Sequence, residues 1–216
     1  MKTCLTFDRF WFSPVGRRAA KQFRTVFDVS GFDGVRAAAI GSAVFFDGVF
    51  SKNKPDFVLR RDAPPDDAPL FPLGEGLSLD AVFIAETNGA VYEKRDVLIK
   101  EARRVLKPDG VFLLTVKNDA FFQPRVGGVP QSKPSDVLRA LTARGGFSVC
   151  GRKNVLYLPF DGKIAEAADA VLTPMNAGGG MFSVFTARKE SLVPQKSENY
   201  SAARITKASV FTSPRT

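Results

Sequence analysis

The stretch Ser78 to Val116, SLDAVFIAETNGAVYEKRDVLIKEARRVLKPDGVFLLTV, contains three elements in a row. Leu79 to Ala85 is a short apolar run without alternation, which suits a strand buried on both faces. From Glu93 to Lys107 the residues Leu98, Ile99, Ala102, Val105 and Leu106 form one apolar face. Lys94, Lys100, Arg103 and Arg104 point elsewhere, so the segment predicts an amphipathic helix. Pro108-Asp109-Gly110 stops it, because proline cannot continue a helix and glycine turns the chain, and Val111 to Val116 is the next strand. Strand, helix, strand at this spacing points to an α/β sheet with mostly parallel pairing.

Toward the amino terminus, Ser13 and Pro14 are a good helix start, and Val15, Ala19, Phe23, Val26 and Phe27 then recur at helical spacing. The prediction is a helix from Pro14 to Phe27, ended by Gly31 and Gly34. Val35 to Ile40 reads as a central strand. The apolar run Ala43 to Phe50 reads as a strand or hairpin arm beside it, and Phe57 to Leu59 as a third strand. Ala63 to Gly76, rich in proline, acid and glycine, is a surface loop.

Toward the carboxyl terminus, a loop from Asn118 to Gln131 precedes a helix opened by Pro134 and Ser135. That helix turns Val137, Leu138 and Leu141 inward, and Gly145-Gly146 closes it. Phe147 to Leu158 and Met181 to Ala187 are the last two strands. From about Val193 the composition shifts to Ser, Thr, Lys and Arg, so one domain over 1–190 is expected to carry a basic tail over 191–216.

A chain of 216 residues with an apolar fraction of 44% can bury one real core. The absence of histidine removes serine-histidine-acid triads and histidine-ligated zinc, so any general base is Asp, Glu, Lys or Tyr. No residue stands out as a catalytic group. Cys4 and Cys150 have no metal-ligand spacing and are expected to be buried thiols. No apolar run reaches membrane-span length and no signal peptide is evident, so the expectation is a cytoplasmic protein. The net charge of +9 allows an acidic partner such as RNA, through Lys196, Arg204, Lys207 and Arg215 of the tail with Arg17, Arg18 and Arg24.

The strand opening Leu79-Asp80-Ala81-Val82 and the helix ending Arg103-Arg104-Val105-Leu106-Lys107-Pro108-Asp109-Gly110 resemble the methyltransferase type 11 domain. So do the strand that runs into Lys117-Asn118, and the phrase Arg61-Asp62-Ala63 followed by Phe71-Pro72-Leu73. The likeness covers about half the chain. It implies a Rossmann-like class I methyltransferase sheet with helices on both faces, and S-adenosylmethionine as cofactor.

Such a protein places a glycine-rich turn after its first strand, here at Ile40-Gly41 with a single glycine. The family follows that turn with a helix, a second strand ending in an acid that holds the ribose, another helix and a third strand. About twenty residues separate Gly41 from Asp62, too few for both crossovers, so the first half reads as divergent and truncated, with the helices around the second strand deleted.

The resemblance makes Asp62 and Ala63 candidates for the adenine contact, and Asp47 either the ribose acid or a turn aspartate. Glu86 and Thr87 lie at the ligand-binding edge, and there, with Asn88, they either meet the cofactor or cap a helix. Two functional readings follow: a methyltransferase with a remodelled loop, or a non-catalytic scaffold for a protein partner or a second copy. In the second, Phe45, Phe46, Phe50, Phe121 and Phe122 leave an apolar patch.

Overall fold

The computed structural model describes residues 7–27, 29–51, 54–64, 71, 78–86, 89–119, 130–176 and 178–189. The basic tail, Cys4, Thr87, Asn88, Phe121 and Phe122 lie outside them. No helix among the described residues is long and apolar enough to cross a membrane.

Six strands form one sheet: β1 (Arg36–Ile40), β2 (Asp56–Arg61), β3 (Leu79–Ala85), β4 (Leu106–Lys117), β5 (Phe147–Val155) and β6 (Phe182–Lys189), in the order β2-β1-β3-β4-β6-β5. The first four run parallel, and β6 is antiparallel to both β4 and β5. Parallel neighbours need a crossover, and between β1 and β2 it is the helix α3 (Ala43–Val49). The expected second strand over Ala43 to Phe50 is therefore a helix, and Asp56–Arg61 is the second strand, not the third. A short apolar run interrupted only by Asp47-Gly48 does not distinguish the two structures by period. Ser42 decides it locally, its hydroxyl accepting from the Phe45 amide at 3.4 Å, while Phe45, Phe46 and Val49 turn to one buried side.

Above one face of the sheet lie α1 (Phe7–Phe12), α2 (Pro14–Phe27) and α3. The strands offer Ala37, Ala39, Ala81 and Ala85 to this face, and the helices fill the space with Phe10, Trp11, Phe23, Phe27, Phe45, Phe46 and Phe50. Small strand residues under large helix residues let the rings interlock, with Trp11 and Phe45 centroids 4.8 Å apart and Phe50 and Phe83 4.9 Å apart. Phe45, Phe46 and Phe50 are each 1% exposed, which overturns the expected patch for these three: α1 and α2 cover them.

The other face packs Ile40, Val82, Ile84, Phe112 and Leu114 against α5 (Arg95–Val105) and α6 (Pro134–Arg139). The alternation Ala81, Val82, Phe83, Ile84 thus serves both cores. The helix expected over Glu93 to Lys107 is α5, with a short α4 (Gly89–Glu93) ahead of it that the sequence reading did not anticipate, and β4 takes up the chain at Leu106, so Pro108-Asp109-Gly110 lies within a strand. Asp109 has φ 61 there, and the β3–β4 register shifts across this bend.

Two further elements had no counterpart in the sequence reading, α1 and α7 (Lys163–Met175). Asp169 docks α7. Its Oδ1 accepts from the amides of Tyr157 at 2.7 Å and Leu158 at 3.3 Å, and its Oδ2 pairs with Arg18 Nε at 2.9 Å in a site where both side chains are buried. Arg18 also donates to the carbonyls of Leu158 and Phe160, Arg24 to that of Gly48 and Arg17 to that of Phe12. These arginines hold helices and loops together. Cys150 is exposed, against expectation, because it lies on the edge strand β5.

Candidate functional site

The carboxyl ends of β1, β2 and β3 converge on one edge. Ile40 is paired with Ile84 on one side and Arg61 on the other, so the chain leaves β1 at the middle of that edge. Gly41 then takes φ 137 and donates its N–H to the Arg61 carbonyl at 2.8 Å. A Cβ on Gly41 would sit 2.6 Å from the Ala85 carbonyl oxygen. Conformation and space both require glycine here.

The turn continues into α3, whose first amide, that of Ala43, donates to Asp62 Oδ1 at 2.8 Å. Asp62 is exposed and stands one residue beyond β2, in front of the helix N-terminus, where a carboxylate is stabilised by the free amides and the helix dipole. Ala63 follows, also exposed. Asp47 belongs to α3 and accepts from Arg60 Nη1 at 2.9 Å, a bond that holds its carboxyl below the usual range. It lies along the helix, neither a turn residue nor at the strand ends.

Glu86 extends β3 but turns to the opposite face of the sheet from Asp62. Its carboxylate is gripped by the Arg95 guanidinium, with Oε2 2.7 Å from Nη2, and accepts from Ser132 Oγ at 3.1 Å. Arg95 lies over the Tyr92 ring at 4.7 Å and lines a groove of 390 Å³ with Tyr92, Asp96 and Arg144. Burial pushes the Glu86 carboxyl above its ordinary value, with Arg95 and Ser132 pulling the other way.

The folded protein therefore holds the Glu86 proton more tightly than the unfolded chain, and this group's contribution to stability falls as pH rises from the ordinary value of 4.5 through the raised one. Urea unfolding across that interval should show the wild type losing stability relative to Glu86→Gln as pH increases. Parallel profiles would mean that the ion pair cancels the burial. Arg95 and Ser132 escaped the sequence reading because one is a surface-type residue on a helix and the other a loop serine; only the fold brings them to Glu86.

The structure thus gathers Ile40, Gly41, Asp62 and Ala63 at one end of the sheet and diverts Glu86 to the α5 side. No family model and no curated protein matches the sequence. Among solved structures, an S-adenosylmethionine-dependent methyltransferase of Thermotoga maritima aligns over 86% of this chain and 98% of its own, with 18% identity and a TM-score of 0.53. Another from Archaeoglobus fulgidus aligns over 80% of this chain and 94% of its own, at 14% identity and a TM-score of 0.51.

The fold is that of the class I methyltransferases.

At these identities the likeness is one of fold. Within the methyltransferase fold, α3 and β2 are the helix and second strand that follow the first turn, so Asp62 ends the second strand and not the third. The segment from Gly41 to Asp62 houses one crossover, and that crossover includes its helix. The reading in which the helices on both sides of the second strand are deleted is wrong for the first of them.

Proposed function

We propose that the chain is a methyltransferase-family protein that holds S-adenosylmethionine at the carboxyl edge of β1, β2 and β3. The observation that supports this best is the position of Asp62, an exposed carboxylate just past the second strand, where the resemblance expects the acid that takes the ribose hydroxyls. A carboxylate, which accepts from hydroxyl groups, fits a ribose. The turn fits less closely, because the space left by the missing side chain of Gly41 is filled by Ala85 and does not face a ligand.

Bound there, the cofactor would supply an electrophilic methyl group on sulfur, and transfer needs little beyond in-line placement of an acceptor. Asp62 would orient the ribose, and the Gly41 bend would set where the chain passes it. Glu86, in its ion pair with Arg95, is turned to the α5 side, away from Asp62 and the Gly41 turn. The turn at Gly41, packed against Ala85 and not against a ligand, favours a divergent and reduced member acting as a scaffold without transferring the methyl group.

Calorimetric titration with S-adenosylmethionine tests the cofactor. The wild type should give a saturable binding heat. Asp62→Asn keeps an acceptor for the Ala43 amide but loses the charge, and should weaken binding about tenfold, ~1.4 kcal/mol. No heat at millimolar ligand would remove this reading. Labelled methyl appearing in any acceptor would replace the scaffold with an enzyme.

A further inference from the structure

Helix α7 is inside out. Its inward side contributes Ala165 and the charged Asp169 to the interior with Leu172 half-buried, and three of its four large apolar residues face solvent, Ile164 at 79% exposure, Val171 at 58% and Met175 at 71%. Phe160, just before it, is 52% exposed. Half of the eight exposed large apolar residues among the described residues thus fall within 160–175. The polar inner side has a structural cause in the Arg18–Asp169 pair and the two amide bonds to Asp169; the apolar outer side has none within the monomer.

Along one flank of the helix Ile164, the half-buried Ala168, Val171 and Met175 follow one another at intervals of four, three and four, the spacing of the contact seam between paired helices. The interval pattern reads the same in both directions. A two-fold axis crossing two antiparallel copies between Ala168 and Val171 sets Ile164 of one opposite Met175 of the other, and Ala168 opposite Val171. A two-fold contact requires such self-complementarity.

Charge selects among occupants. Ile164, Ala167, Ala168, Val171 and Met175 carry none, the exposed charges of the helix are one of each sign, Lys163 and Glu166, and the basic residues Arg17 and Lys21 lie in the groove on the α2 side of the helix. An anionic membrane or a nucleic acid would need cations ringing this face; a second copy needs only the absence of like charges.

We propose that two copies of the chain associate through the outer faces of α7, antiparallel about that axis. The contact is independent of any cofactor. A helix of 13 residues is about 20 Å long, a footprint smaller than the about 800 Å² per partner of stable complexes, so the dimer is weak and depends on concentration.

Sedimentation equilibrium of the full chain across the micromolar range should show mass rising from 23.5 kDa toward twice that value. Added salt should strengthen the association, because it screens the repulsion between two copies of net charge +9. Val171→Glu should raise the dissociation constant at least tenfold with an unchanged thermal midpoint, as Val171 lies on the exposed side of its helix. In a background with both Cys4→Ser and Cys150→Ser, a mixture of Ile164→Cys and Met175→Cys chains should form crossed disulfides under mild oxidation. A protein that stays monomeric at the highest concentration and salt would overturn the proposal, as would a dimer indifferent to Val171→Glu, or association that weakens with salt.

Discussion

Replacing Gly41 with alanine is expected to cost at least about 3 kcal/mol of folding stability. Two effects add. At φ 137 an L-residue is strained by about 1 to 3 kcal/mol, and the new methyl group would lie 2.6 Å from the Ala85 carbonyl oxygen and 3.0 Å from its Cβ. Neither neighbour is the end of a flexible side chain. Both belong to β3 at the centre of the sheet, so relief requires moving a strand or reshaping the turn. Reshaping the turn would break the Gly41–Arg61 hydrogen bond and shift the Ala43 amide away from Asp62. Urea unfolding measures the loss, and a free energy within about 0.5 kcal/mol of wild type would show that the bend tolerates a side chain, contrary to its geometry.

The second large effect is expected at Asp169→Ala, a loss of about 3 to 5 kcal/mol from leaving the Arg18 guanidinium buried without its partner. The same change frees the Tyr157 and Leu158 amides, which the carboxylate now accepts. Replacing both partners, Arg18→Leu with Asp169→Leu, should recover the part of the loss that comes from the buried charge, and the Tyr157 and Leu158 amides keep the remainder. Thermal unfolding of the single and double variants tests this. A cost below about 1 kcal/mol for Asp169→Ala would mean that water reaches the pair and that packing alone holds α7 in place.

The central strands were legible in the sequence because their apolar runs are bounded by glycine, proline and charge. The helix from Pro14 to Phe27 was also legible, its cap and its 3.6-residue period agreeing. Ala43 to Phe50 was misread for a physical reason: in an eight-residue window whose one charged residue is Asp47, a single polar position sets no period, and Asp47-Gly48 also reads as a turn. The cap at Ser42 was the available sign. Helix α7 was missed because periodicity arguments look for a polar outside and an apolar inside, whereas here Ile164, Val171 and Met175 are exposed and the charged Asp169 is buried. At the site, Gly41 and Asp62 were found through a family pattern, whereas the capture of Glu86 by Arg95 and Ser132 depends on where α5 and a loop meet the end of β3, which no local sequence signal encodes.

The outer strands of the sheet, β2 and β5, each leave a row of amides and carbonyls with no neighbour among the described strands. Such rims recruit foreign strands, and aggregation starts there when they are flat and apolar. Here β2 bears Asp56, Arg60 and Arg61, β5 bears Arg152 and Lys153, and irregular pairing interrupts both β2 against β1 and β5 against β6. Strand-to-strand stacking into open fibres is thereby discouraged at both ends of the sheet, so any contact between molecules is directed to helical surface, where it can close on itself.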